Sequence, residues 1–288
     1  VSALSSWKSN SLSWLQLSPI VLILGFFLVL PVIAIVCVSF WASTEYSYHP
    51  AFIFENYQFL FTSKVTYSVY FKTLMFTAIT WLITLLIGFT VAYFLAFHIR
   101  SLPIQIGLFL LCTIPFWTSN IIRMISWIPF LGRNGIANNM LIKAGWIDQP
   151  LEWLLFSEFA VVLAFVHLFT LFMIVPIFNT MMRIDHSLIE AARDAGASGF
   201  QILWNVIIPL SKPGIMIGSI FVVTLVMGDF ITVRFMSGGQ TASVGRMISN
   251  EIGLLQYPAA SASAVVLLLT VLIMISIMMR FVDIRKEL

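Results

Sequence analysis

Apolar residues run along this chain in long blocks rather than in alternation. Six stretches, about 18–42, 69–98, 102–126, 158–182, 213–236 and 258–282, are dominated by apolar side chains. Each reaches the roughly 20 residues that a helix needs to cross a hydrocarbon core about 30 Å thick. Backbone polar groups inside lipid must be satisfied within the segment, so each block predicts a helix. The run from Val265 to Met279 is apolar on nearly every side, with Thr270 and Ser276 as its weakly polar members. No period-two alternation of the kind a barrel strand needs is present. The expected fold is therefore all-α, an integral membrane protein with six transmembrane helices.

The polar intervals differ in kind. Residues 1–17 form a serine-rich N-terminal segment, and the first span is expected over 18–42, interrupted by Pro31. That run is longer than a signal-peptide core and no small-x-small cleavage site follows it, so it reads as a retained span. The remaining spans fall in a core over 69–282, followed by a short tail, 283–288. His98 to Pro103 predicts a tight turn. Trp127 to Ser157 is long and mixed: Asn134 is expected to cap a short helix that Gly145 closes, and Trp146 and Trp153 suit a membrane interface. Gly238 to Tyr257 predicts a Gly-Gly turn before a short helix from Val244 to Leu255. Pro115 and Pro176 are expected to kink their helices.

Composition removes the soluble alternatives. Hydrophobic residues make up 60% of the chain and charged residues 9%, with a mean hydropathy of +1.01. A soluble domain carries about 25% charged residues. The net charge of +3 is scattered, without the basic runs of a nucleic-acid binder. Cys37 and Cys112 lie in apolar runs, and the histidines at 49, 98, 167 and 186 lack metal-ligand spacing. There is no G-x-S-x-G elbow and no G-x-x-x-x-G-K-[ST] phosphate loop. The chain is not expected to be an enzyme or to bind a cofactor of its own. With both termini inside, the inner segments carry Lys8, Arg100, Arg183, Arg193, Lys212, Arg280, Arg285 and Lys286. The outer ones carry Lys64, Lys72, Arg123, Arg133, Lys143, Arg234 and Arg246, which leaves only a slight positive-inside bias.

The segment 187–209, between the fourth and fifth spans, predicts a helix–turn–helix. Ser187 and Glu190 have capping-box spacing. Gly196 follows a run of good helix formers and supplies a helix stop. Ser198 and Gln201 repeat the capping spacing for a second helix, expected to end before Pro209. On local physics alone, an amphipathic loop at the membrane surface fits as well as a docking element. The pattern, however, resembles the permeases of binding-protein-dependent ABC importers: Glu190-Ala191-Ala192, three residues, Gly196, nine residues, then Val206-x-Ile208-Pro209. The resemblance implies a coupling helix on the cytoplasmic side, seated in a cleft of an ATPase subunit. Glu190, Ala191, Ala192 and Gly196 would make the coupling contact. It also implies both termini inside, a bacterial inner-membrane location, and ATP with Mg2+ in a partner ATPase dimer that carries out the hydrolysis. A homologous second permease would complete a heterodimer, with spans two to six as the shared core and span one wrapping the partner, and a periplasmic substrate-binding protein would deliver the cargo.

Two further stretches narrow the resemblance. Pro115-Phe116-Trp117-Thr118-Ser119-Asn120-Ile121-Ile122-Arg123, and Gly228-Asp229-Phe230 followed by Gly238-Gly239, are similar to the first permease subunits of spermidine/putrescine importers. Asp229 lies about 16 residues past Pro213, roughly 24 Å along a helix. Facing lipid, its carboxylate would cost about 2–3 kcal/mol or more. It is therefore expected at an interface or a wet cavity, either in the path of a cationic substrate or as partner to a cation such as Arg234 or Arg123. His167, with Thr170 near it in span four, either lines the path or bonds across helices. Phe116, Trp117 and Trp127 can hold ammonium groups by cation–π attraction, and Trp is also enriched at interfaces for unrelated reasons. The same machine could carry ferric iron, an organophosphonate, thiamine or another small solute. A secondary transporter is a second class of reading, but it would call for repeats between the halves that the sequence does not display.

Overall fold

The computed structural model describes residues 16–44 and 47–280. The tail expected over 283–288 and nearly all of the segment expected over 1–17 lie outside the described residues. Two compact units divide what is described: one runs to Ser63 and takes in Ile248–Val266, the other holds Lys64–Met247 and continues from Leu267.

The first unit begins with helix α1, Gln16–Val38, none of which is buried. Within it a wide π turn, Gly25–Val29, closes with the Leu30 amide bonded to the Gly25 carbonyl, two residues before Pro31. A small antiparallel ladder follows, β1 (Ala42–Ser43) against β2 (Tyr48–His49), then α2, Glu55–Thr62. The turn between α1 and α2 is held by Asn56, whose Nδ2 donates to the Ser39 and Trp41 carbonyls at 3.0 and 2.9 Å. The Phe40 ring stacks on Phe52 with centroids 5.0 Å apart.

The second unit is built on three helices, α3 (Lys64–Phe97), α8 (Glu158–Met181) and α10 (Gly199–Gly228), which pack on one another with α8 between its neighbours. Lipid tails offer no hydrophobic gain for helix association, so close approach and hydrogen bonds must supply it. Both are visible. A Cβ built on Gly214 of α10 would lie 2.5 Å from the Pro176 carbonyl oxygen, and one on Gly88 of α3 would lie 2.7 Å from Met173 Cγ. The buried threonines 73, 77 and 84 turn their hydroxyls back on carbonyls of their own helix at 2.8 Å. That satisfies their donors within the helix and leaves a small surface. Trp81 Nε1 donates to Ser219 Oγ at 2.8 Å, tying α3 to α10, and Lys72 pairs with Glu158 between α3 and α8.

The six-span expectation holds with one qualification: among the described residues five helices are long and apolar enough to cross a membrane, and the sixth element is a broken pair. The expected third span, 102–126, does not run straight. Helix α4 (Leu102–Thr113) tightens into a 3-10 turn at Ile114–Trp117, and the chain then bends by 89°. Pro115 has no amide to donate and its ring crowds the carbonyl four residues back, which ends the α geometry. Beyond the bend lie α5 (Asn120–Ile125), α6 (Trp127–Leu131) and α7 (Ile136–Lys143). Gly145, at φ +70°, closes α7 as expected: the Trp146 amide reaches the Leu141 carbonyl and the Gly145 amide that of Ile142. The N-terminal cap differs, for Gly135 rather than Asn134 occupies it.

The remaining helices are α9 (His186–Asp194), α11 (Ile231–Met236), α12 (Val244–Gly253) and α13 (Tyr257–Arg280). Gly238 and Gly239 both have positive φ and form the turn before α12. The helix expected over 213–236 in fact starts at Gly199 and stops at Gly228. It passes through Pro209, where a helix end was expected, because a second wide π turn, Leu203–Ile207, precedes that proline. The Ile208 amide bonds five residues back, to Leu203. The wider turn moves the carbonyls that an α turn would press against the proline ring.

Candidate functional site

Helix α9 and its two ends are assembled from local chemistry. The N-cap is Asp185, whose carboxylate accepts the Ser187 amide at 2.9 Å. This corrects the expected Ser187–Glu190 capping box. Asp185 already has the extended backbone of a cap, so the chain is helical by the time Ser187 is reached, and Glu190 is left free for another task. The Ser187 backbone amide, with its side chain second, holds the Asp185 carboxyl below the usual aspartate range.

At the other end, Gly196 takes φ +82°. The Gly196 amide bonds to the Arg193 carbonyl at 2.9 Å and the Ala197 amide to that of Ala192 at 3.0 Å, the paired bonds of a Schellman stop. Two residues later the expected capping box is complete: the Gln201 amide donates to Ser198 Oγ at 3.3 Å, and the Ser198 amide to Gln201 Oε1 at 2.7 Å. The turn between α9 and α10 is thus closed on both sides by hydrogen bonds, with a single residue, Ala197, between the stop and the next cap.

The faces of α9 divide cleanly. Ile189 and Ala192 pack against the core of the second unit, together with Ala197. Ser187, Leu188, Glu190, Ala191 and Gly196 are exposed. The small Ala191 and Gly196 lie on a surface that another backbone can approach closely, with Glu190 at its side. The helix that α9 leads into has 30 residues and is about 45 Å long at roughly 1.5 Å per residue.

Asp229 stands at the far end of α10 as its C-cap, in extended backbone rather than inside a helix. Its carboxylate accepts the Thr232 amide at 2.7 Å and the Thr232 hydroxyl at 3.1 Å, while its carbonyl accepts from Ser243 Oγ at 3.1 Å. It therefore ties the start of α11 to the end of α10. Neither Arg234 nor Arg123 forms an ion pair with it among the described residues. Two of the other pathway candidates have a neighbour of their own. His167 Nδ1 accepts from Trp127 Nε1 at 3.0 Å, which joins α8 to α6. Phe116 meets Phe172 edge-on at 5.5 Å. Trp117, beside the bend, is 81% exposed.

Sequence reasoning missed two features. Arg123 is buried at 7% exposure, its guanidinium bonded to the Asn120 side chain and its Nε without a partner. The Val244 amide at the start of α12 is bonded to Thr73 Oγ1 of α3 at 3.0 Å. The Val244–Thr73 bond has no local signature, since the fold alone brings the two together, and the burial of Arg123 is likewise set by the fold although its partner Asn120 is three residues away. Among the described residues no group of His, Cys, Asp and Glu side chains converges in a way that would hold a metal.

Residues 90–286 match the model of the binding-protein-dependent transport system inner membrane component. The chain is 35% identical over 228 residues to the spermidine/putrescine transport system permease protein PotB of Haemophilus influenzae, covering 78% of each protein. It is 31% identical to PotB of Escherichia coli over 258 residues, covering 88% of this chain and 92% of that one. Among solved structures, a chain of a bacterial alginate ABC transporter in complex with an alginate pentasaccharide-bound periplasmic protein superposes with a TM-score of 0.78. That likeness covers 98% of both chains at 16% identity and speaks to the fold. The sequence relatives and the matched model, which takes in the capped α9–Gly196–α10 joint, show that this chain belongs to the inner membrane components of binding-protein-dependent transport systems.

Proposed function

We propose that this chain forms half of the translocation pathway of an ATP-driven polyamine importer, with α9 as the element that receives the ATPase stroke. The observation that carries the reading is the joint itself: an exposed, small-surfaced helix fused through a doubly capped turn to a helix about 45 Å long. A push on α9 is then transmitted as rotation of a rigid body instead of being absorbed in a loop, a hinge or shear transition. In this reading α9 and both termini face the cytoplasm of a bacterial cell. Glu190, Ala191 and Gly196 contact an ATPase subunit, with the half-buried Ala192 at the edge of the contact, and ATP with Mg2+ is held and hydrolysed there. A homologous second permease supplies the other half of the path, and a periplasmic binding protein delivers the substrate.

The polyamine cargo is supported by the PotB relatives, whose names specify spermidine and putrescine. It also agrees with a carboxylate at Asp229 that forms no ion pair among the described residues. In this role Asp229, Trp117, Phe116 and His167 line the route, the carboxylate and the aromatic faces attracting ammonium groups. The hydrogen bonds from Thr232 to Asp229 fit both a structural duty and a fixed orientation for substrate. The discriminating experiment is uptake of labelled spermidine and putrescine into proteoliposomes that hold this chain with its sister permease and ATPase, binding protein added outside. Uptake dependent on ATP and binding protein, weakened in Asp229→Asn, is the expected result. Normal uptake in the variant moves Asp229 to a structural role. Binding-protein-stimulated ATPase activity with no polyamine uptake keeps the machine and changes the cargo.

A further inference from the structure

A cavity of 740 Å³ opens beside α9. It is bounded by the last turns of α3 and α8, the loop 98–100, the first turns of α4 and α10, and one side of α9. Because three helices start and two end there, backbone dipoles of both signs meet and largely offset one another. Side chains therefore set the sign of the cavity. Arg100 and Arg193 line it, as do His98 and His186, against a single carboxylate, Glu190. Neither arginine forms an ion pair among the described residues. The imidazoles are positioned by aromatic neighbours, His98 stacked on Phe94 at 5.7 Å and His186 edge-on to Phe97 at 5.9 Å. Phe97, Leu102, Met181 and Ile202 give the wall an apolar stretch, beside the side chains of Tyr93 and Gln105.

The arrangement has two halves, a cationic rim and an apolar wall, at the level where the apolar helices give way to polar turns. Leu102, on that wall, is exposed at 58%, and Ile106, one turn further along α4, at 48%, so apolar surface continues from the cavity along the outside of the helix. An amphiphile with an anionic head is the ligand class that satisfies both halves. Guanidinium groups suit phosphate oxygens through paired hydrogen bonds, and basic pockets between membrane helices bind acidic headgroups. Glu190 refines the choice: its carboxylate disfavours a dianion and so prefers a phosphodiester to a phosphate monoester or inorganic phosphate.

We infer that this cavity binds the phosphodiester headgroup of an acidic phospholipid, with Arg100 and Arg193 as its ligands and the acyl chain lying along α4. The site shares Glu190 and Arg193 with α9, so occupancy ties that helix to the ends of α3 and α4. The inference stands on the cavity alone and needs neither the importer reading nor its cargo.

The test is native mass spectrometry of the full chain purified in detergent, titrated in parallel with phosphatidylglycerol, phosphatidylcholine and inorganic phosphate. Phosphatidylglycerol should be retained about tenfold or more in preference to phosphatidylcholine. The preference should vanish in Arg100→Gln/Arg193→Gln and return in part in Arg100→Lys/Arg193→Lys, which keeps the charges and loses the fork. Thermal unfolding in detergent establishes that each variant is folded. Equal retention of the two lipids, or a preference that survives in the glutamine variant, overturns the inference. Displacement of bound lipid by millimolar inorganic phosphate overturns the diester assignment, because Glu190 should exclude it.

Discussion

Gly196 occupies a backbone conformation that a side chain resists, at φ +82°, with open space where a Cβ would go. A Cβ there meets nothing within 4 Å, so the cost of valine is chiefly conformational, about 1–2 kcal/mol. That cost falls on the joint and not on the core. Gly196→Val is therefore expected to leave the chain folded in the membrane while uncoupling ATP hydrolysis from uptake, read as ATPase activity that persists as transport falls. At the opposite end of α9 the Asp185 carboxyl is depressed by its bond from the Ser187 amide. A depressed carboxyl contributes stability above its unfolded value and loses it as pH falls through the folded one. Hydrogen exchange of the first turn of α9 should thus stay slow at neutral pH and quicken only below the ordinary aspartate range. In Asp185→Ala it should be fast throughout. Single residues were legible where the chemistry is local, as at Gly196 and at Ser198 with Gln201. At Ser187 two capping residues two positions apart compete, and Asp185, which has the extended backbone, wins. Asp229 was placed inside a helix because its surroundings are apolar, whereas its bonds to Thr232 end one helix and begin another.

At the scale of elements, the glycine of the second unit with least room for a side chain is Gly214, against the Pro176 carbonyl and Thr180 Oγ1. A methyl group has no room unless α10 moves away from α8, and overpacking of this kind costs about 1–3 kcal/mol. Gly214→Ala is expected to lower the thermal midpoint of the detergent-solubilised chain, and Gly214→Leu to lower it much further. The contrasting case is Gly25 of α1, where a Cβ meets nothing within 4 Å and alanine should be silent in the same assay. Spans were legible as apolar blocks, but their edges were not. Hydropathy records where the lipid begins, while α10 starts fourteen residues before the expected 213, because capping at Ser198 decides where the helix does. The break of the third span was partly legible in Pro115, though the 89° bend depends on what the arm beyond it packs against.

Across the whole molecule, the pattern announced the membrane-crossing blocks and withheld which helices meet. A soluble helix marks its inner face by an apolar stripe. Here α3, α8 and α10 are apolar nearly all round, so the contact faces are recorded only in small residues and in polar ones such as Trp81 and Ser219. Ser219→Ala would strand the Trp81 donor and cost about 1–3 kcal/mol, since the indole loses its acceptor, the hydroxyl of the buried Ser219. A thermal scan of Ser219→Ala beside Trp81→Phe/Ser219→Ala measures it: the double change should be the milder, because it removes donor and acceptor together.

The wide turns of α1 and α10 have a consequence for heredity. A π turn is in effect one residue added to an α-helix, and each of these precedes a proline by the same interval, Gly25–Val29 before Pro31 and Leu203–Ile207 before Pro209. Deleting a single residue from 203–207 would restore an ordinary turn and press it against the ring of Pro209. Replacing Pro209 alone would leave a surplus residue with nothing to accommodate. Each loss by itself is a lesion, and the two together are close to neutral. Insertions and prolines in such a lineage should therefore come and go in pairs, and a one-residue gap opposite this stretch in a descendant should coincide with the disappearance of the ring.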